Sequence, residues 1–162
     1  MIPTFLDAGI LIAAVRGQED EAARALVILE DPQRSFIASD FLRLEVLPKA
    51  LYYQRPAEAA LYERFFSEAR LIPVSAALVT QAYTEASTFG LSALDALHVT
   101  VAKAGGAEES ITTERLTSPL FRVTGILIKP FATSSWFYKY ILFYGLHVCA
   151  FSCIVTNNKT CL

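Results

Sequence analysis

At 162 residues the chain fits one domain with a substantial hydrophobic core, because a chain of this length buries well over half of its unfolded surface. A formal net charge of −2 and an isoelectric point near 5.7 exclude an overall basic field, so a nucleic-acid partner would have to be held by a local patch or through bound metal. Cys149, Cys153 and Cys161 all lie near the C-terminus, so no disulfide framework staples the main body and a cytoplasmic setting is expected.

The opening MIPTFLDAGILIAAV is apolar, but it lacks the basic flank of a signal peptide and carries Asp7 inside the run. It reads as a strand leading into a helix, with Gly9 marking the turn between them. EDEAARALVILED has helical spacing, with acids in its first turn where the helix dipole favours them. RSFIAS supplies a short strand. SDFLRLEVLPKALYYQ follows as a helix, with Ser39 as N-cap and Pro48 expected to kink or restart it.

PAEAALYERFFSEA places Pro56 in a first helical turn, LIPV is a short strand, and SAALVTQAYTEASTFG is a helix stopped by Gly90. The next helix runs from Ser92 to Gly105 and Gly106, and ESITT and FRVTGILI read as two further strands. Helices separating short apolar strands predict a parallel sheet covered on both faces, because parallel strands need crossover connections. The expected class is α/β.

A seam falls near Pro130. Every Asp and Glu lies before it, whereas the only Trp, the only Asn residues and every Cys lie beyond it. The expected organisation is therefore a domain over residues 1–130 and an apolar extension over 131–162. Within the extension, Trp136 to Val155 has the length and apolar character of a bilayer-spanning helix, although His147 and Gly145 weaken that reading. A packed extension and a tail of foreign or frame-altered origin are the alternatives.

Four acids occupy positions where an ionised side chain is costly or well placed. Ligands of an open parallel sheet bind beyond the carboxyl ends of its strands, and Asp7 ends the first strand; the competing reading is an Asx-turn. Glu45 lies among Phe41, Leu42, Leu44, Val46 and Leu47, on or beside a buried helix face, or else as a surface glutamate at its border. Asp95 follows Ser92 in the S-x-x-D pattern of a capping box, which could account for it alone. Its apolar neighbours Leu94, Ala96, Leu97, Val99 and Val101 set that turn against the core. Glu114 follows SITT, where another strand ends, with the hydroxyls of Thr112 and Thr113 beside it. Acids converging on one sheet edge would repel one another, and an oxygen-only cluster suits Mg²⁺ or Mn²⁺.

Other chemistries are less well supported. His98 is read as a packed histidine bonded to backbone rather than a ligand. No paired Cys or His spacing suggests zinc, and no Gly-rich phosphate loop opens a helix. A nucleophile-elbow pattern is also absent.

The segments FLDAGILIAAV, SDFLRLEVLPKAL and LSALDALHVTVAKAGGAEESITTE, in that order and spacing, resemble a PIN domain, and specifically toxin-like members similar to VapC ribonucleases. The resemblance covers about residues 2 to 128. It implies a three-layer α/β/α sandwich around a parallel sheet, with a metal-dependent nuclease site whose acids match Asp7, Glu45, Asp95 and Glu114. Ser39 and Thr113 match polar positions near that site. Two departures stand out: Gly9 replaces the Asn or Ser common two residues after the first acid, removing one hydrogen bond near the site, and Glu114 replaces the usual Asp.

The resemblance further implies an RNA substrate, a small antitoxin that occupies the site, and a homodimer. Arg16, Lys49, Arg115 and Arg122 are candidate phosphate contacts, and ALYYQRPAEAALYERFF is the expected partner surface. The rival readings are a catalytically decayed PIN-like domain that binds an antitoxin or RNA without cutting it, and a DNA-directed or flap-type nuclease using the same acids.

Overall fold

Ile2–Leu6 forms β1, a short apolar strand at the middle of the sheet. In a computed structural model of the chain, residues 1–131 are described. After β1 come helices α1 (Ala8–Arg16) and α2 (Glu19–Leu29), strand β2 (Arg34–Ala38), helices α3 (Asp40–Tyr52) and α4 (Pro56–Glu68), and the two-residue strand β3 (Arg70–Leu71). Helices α5 (Ala76–Phe89) and α6 (Ala93–Ala104) lead to β4 (Glu109–Thr112), and a 3-10 turn over Pro119–Arg122 precedes β5 (Leu127–Pro130).

The strands lie in the order β3-β2-β1-β4-β5, and every pairing is parallel. From β1 the chain first builds outward through β2 and β3, then returns to add β4 on the other side of β1. The strand order therefore reverses between β1 and β4, and crossovers of one handedness then lie on opposite faces of the sheet. Phe36 on β2 packs against Phe65 of α4 on one face, with ring centroids 5.6 Å apart. Phe5 on β1 meets His98 of α6 on the other at 5.4 Å. The result is the expected three-layer α/β/α arrangement with six helices among the described residues.

Local chemistry explains most element boundaries. Ser39, Ser75 and Ser92 cap α3, α5 and α6, each hydroxyl accepting a backbone N–H from the first turn. Pro56 occupies the start of α4. Gly90 ends α5 at φ +71°, a left-handed conformation that a side chain would oppose. Two expectations need correction. Pro48 does not restart a helix, because α3 continues through it to Tyr52 with Pro48 exposed. FRVTGILI is not one strand: its first residues close the 3-10 turn, Gly125 turns the chain at φ +83°, and pairing begins only at Leu127. Trp136 to Val155 lies outside the described residues; among those described, no helix is long and apolar enough to cross a membrane.

Two charge clusters hold the layers in register. Glu109, at the start of β4, is buried and receives an ion pair from Arg34 of β2, a second from Lys129 of β5 at 2.5 Å, and a hydrogen bond from Thr4 of β1 at 3.0 Å. Four of the five strands thus share one carboxylate. Arg16, at the end of α1, grips Glu58 of α4 through both carboxylate oxygens, with Nε 3.0 Å from Oε2, and Tyr62 donates its hydroxyl to Oε1 at 3.0 Å.

Burial alone would push the Glu58 carboxyl upward, but the bonds from Arg16 and Tyr62 and the charges of Arg16 and Arg55 outweigh it and hold the group below its ordinary 4.5. A depressed folded-state pKa contributes stability that is complete above the unfolded value and lost as pH falls through the folded one. Thermal unfolding followed by circular dichroism should therefore show the melting temperature dropping as pH falls below about 4.5. In Glu58→Gln that acid dependence should be flatter, and at pH 7 the variant should be less stable by about 1–2 kcal/mol, since partly exposed Arg16 keeps access to water.

Candidate active site at the carboxyl edge of the sheet

Asp7 closes β1 and stands at the N-cap of α1, yet its side chain makes no capping hydrogen bond. The Asx-turn reading therefore fails. Its Oδ2 instead accepts the Thr112 hydroxyl at 2.9 Å, across the gap between the ends of β1 and β4. The same Thr112 oxygen accepts the Glu114 N–H at 3.0 Å, so its own proton points toward Asp7. Burial pushes the Asp7 carboxyl above its ordinary value; the Thr112 bond and His98 oppose this, and the negative charge of Glu45 adds to it.

Glu45 reaches this place from α3. It is not a freely solvated border residue: its Oε2 lies 3.0 Å from His98 Nε2 of α6, and its side chain is 30% exposed. His98 is thus bonded to a side chain 53 positions away rather than to backbone. Arg43, two residues before Glu45, pairs with Asp40 at 3.5 Å and lies over the Phe66 ring at 5.0 Å. Sequence periodicity does not flag the Glu45–His98 pairing, because it links separate elements.

The other acids are placed differently. Asp95 donates its N–H to Ser92 Oγ at 3.3 Å, and the Ser92 hydroxyl donates to Asp95 Oδ2 at 2.7 Å. The S-x-x-D pattern is realised through the hydroxyl rather than the Ser92 amide, and the carboxylate has a local partner. Leu94 beside it is partly exposed rather than set into the core. Glu114 lies exposed at the rim beyond β4. Ser39 is fully buried and acts as the α3 cap.

Arg16 is committed to Glu58 and is not a free phosphate contact, whereas Lys49, Arg115 and Arg122 are exposed. The proposed partner surface divides. Leu61, Tyr62, Phe65 and Phe66 are core, while Leu51, Tyr52 and Tyr53 are exposed.

Gly9 does not leave a vacancy. The Thr113 side chain fills the space beside it, so a Cβ at position 9 would overlap the Thr113 hydroxyl and fall 2.8 Å from its Cγ2. A hydroxyl therefore stands beside the first turn of α1, supplied by the end of β4 instead of by position 9.

The model of the family described as PIN domain matches residues 4–115. The chain belongs to the PIN domain family. Three solved structures share its fold at low sequence identity. One is VapBC2 from Rickettsia felis bound to a DNA fragment from its promoter, with TM-score 0.58 and 15% identity, covering 80% of this chain and 98% of that one. A second is DNA-bound VapBC from Salmonella typhimurium, with TM-score 0.57 and 19% identity, covering 81% and 99%. A third is a toxin–antitoxin complex from Klebsiella pneumoniae, with TM-score 0.55 and 19% identity, covering 76% and 95%. No match was found among curated proteins.

Among the described residues of this PIN domain, no three His, Cys, Asp or Glu side chains are grouped closely enough to surround an ion. The donor chemistry still fits a hard divalent cation. Asp7 carries a buried carboxyl that Glu45 further disfavours as an anion, and added positive charge there would relieve both. Mg²⁺ is commonly held by one or two carboxylates with water and substrate oxygens in its remaining positions.

The Gly9–Thr113 contact is tested by thermal melts. Gly9→Ser should destabilise the domain by about 1–3 kcal/mol through overpacking, and adding Thr113→Gly should recover most of the loss because Thr113 is exposed.

Proposed function

We propose that this PIN domain is a metal-dependent endoribonuclease and the toxin of a toxin–antitoxin pair. The observation that carries the reading is the Asp7–Thr112 bond across the carboxyl ends of β1 and β4, where the strand order reverses, with Glu45 of α3 near enough for its charge to act on Asp7. Asp7 and Glu45 would hold Mg²⁺ or Mn²⁺. Asp95 would join them on exchanging its Ser92 partner, and Glu114 would serve at the rim. When bound, the cation supplies Lewis acidity that lowers the pKa of water and neutralises charge on phosphoryl oxygens.

The protein's own contribution is positional. Thr112 orients Asp7 by its donated hydrogen bond. Lys49, Arg115 and Arg122 are exposed cations available to the RNA backbone, a role in which each adds affinity without reading sequence. With no protein nucleophile required, the reaction is hydrolysis of a phosphodiester by water.

Purified protein supplied with Mn²⁺ should cleave single-stranded RNA. Asp7→Asn should lower the rate roughly 100-fold or more, since several kcal/mol of transition-state stabilisation is at stake. Asp95→Asn is the sharper test: cleavage equal to wild type would remove Asp95 from the site.

The complexes in the Rickettsia felis, Salmonella typhimurium and Klebsiella pneumoniae structures support an antitoxin partner here as well. Leu51, Tyr52 and Tyr53 form the surface on which antitoxin or a second copy would dock, as exposed aromatic side chains are favoured interface anchors. Light scattering after size exclusion should show a dimer at micromolar concentration and a monomer for Tyr52→Glu. A wild-type monomer would count against self-association.

The bonding of Asp95 to Ser92 favours a second reading, a decayed domain that binds antitoxin or RNA without cleavage. Calorimetric titration with Mn²⁺ separates the two, because a working acidic site takes up the ion and a decayed one does not.

A further inference from the structure

His98 is the buried titratable side chain that the proposed reaction leaves without a task. It sits on α6, 7% exposed, with its ring tilted 43° against Phe5. Its Nε2 lies 3.0 Å from Glu45 Oε2, and its Nδ1 is buried with no partner. A carboxylate oxygen can only accept, so the bond requires the proton on Nε2. Nδ1 is left as an unmatched polar atom in the interior, which costs free energy that an aliphatic side chain of similar size would not.

Packing against Phe5 alone does not account for this arrangement. The bond to Glu45 does, because it crosses from α6 to α3 and restrains a side chain that otherwise makes no hydrogen bond among the described residues. Restraining Oε2 leaves Oε1 unbonded. Asp7 likewise has a single side-chain partner, with Oδ2 held by Thr112. Each carboxylate is thus pinned by one oxygen while the other makes no hydrogen bond to a side chain.

We infer that His98 is a positioning residue, which holds Glu45 through an Nε2–H donor so that the remaining oxygens of Glu45 and Asp7 can serve one divalent cation. His98 itself ligates nothing. This role rests on the metal-binding reading of the site, and it differs from a packing role in what its loss would change. Partners that orient a ligand typically account for 10- to 100-fold in metal affinity, whereas a packing role would be seen in stability.

The test is Mn²⁺ titration calorimetry on the full chain, paired with thermal melts and imidazole nitrogen NMR. In the metal-free protein, NMR should find a proton on His98 Nε2, with a shift that moves in Glu45→Ala; an Nε2 without a proton overturns the inference. His98→Leu should weaken Mn²⁺ binding about tenfold while its melting temperature holds or rises. His98→Gln, whose amide nitrogen reaches about as far as Nε2, should bind within about threefold of wild type. Equal Mn²⁺ affinity in wild type and His98→Leu overturns the positioning role and leaves the metal reading standing, as does His98→Gln binding as weakly as His98→Leu. Failure of wild type to take up Mn²⁺ overturns the metal reading itself, and this role with it.

Discussion

The site depends on the pairing of β1 with β4. Its last rung is the Asp7 N–H donating to the Ile111 carbonyl at 3.0 Å, one residue before Thr112 turns its hydroxyl to the Asp7 carboxylate. These parallel strands meet where the chain reverses its direction of sheet building, the place where ligands of open parallel sheets bind. A change in register would carry Asp7 to the wrong face, since strand side chains alternate.

That pairing is itself held by charge. Glu109 lies at the opposite end of β4 from Thr112, and its bonds to Thr4, Arg34 and Lys129 tie β4 to both neighbouring strands and to β2 beyond. A buried carboxylate shared among several donors is costly to misplace, because any other register would strand ions without partners. Charge has two uses in this domain: opposite signs are matched in the interior, while Asp7 and Glu45 lie near enough for the charge of one to act on the other. Arg16 belongs to the first group, which is why its position near the sequence of the first acid says nothing about substrate.

Much of this fold is legible locally. Ser39, Ser92, Pro56 and Gly90 act at backbone positions where their chemistry is nearly context-free, so the helix boundaries they predict are the observed ones. The class and layer order follow from strands alternating with helices. Pro48 is a local breaker that α3 nevertheless runs through to Tyr52. The strand in FRVTGILI is misplaced because β-rich composition extends back across Gly125, whose turn cuts it short. At the site, Asp7 is legible because an acid in an apolar strand end needs a reason. The partners are not: Thr112 and Asp7 lie 105 positions apart, and His98 and Glu45 lie 53 apart. Hydrophobic periodicity reports which face an element buries, not which polar groups meet across it.

Phe131 carries a practical corollary. Its amide donates to the Thr112 carbonyl at 2.8 Å, and its ring lies beneath the Arg24 guanidinium. The last described residue is therefore tethered to the very threonine that orients Asp7. A fluorescent label or short tag inserted just after it, ahead of residues 132–162, would tug on that strand. Met1, which precedes β1 at the far rim, is the safer attachment point for handling the protein.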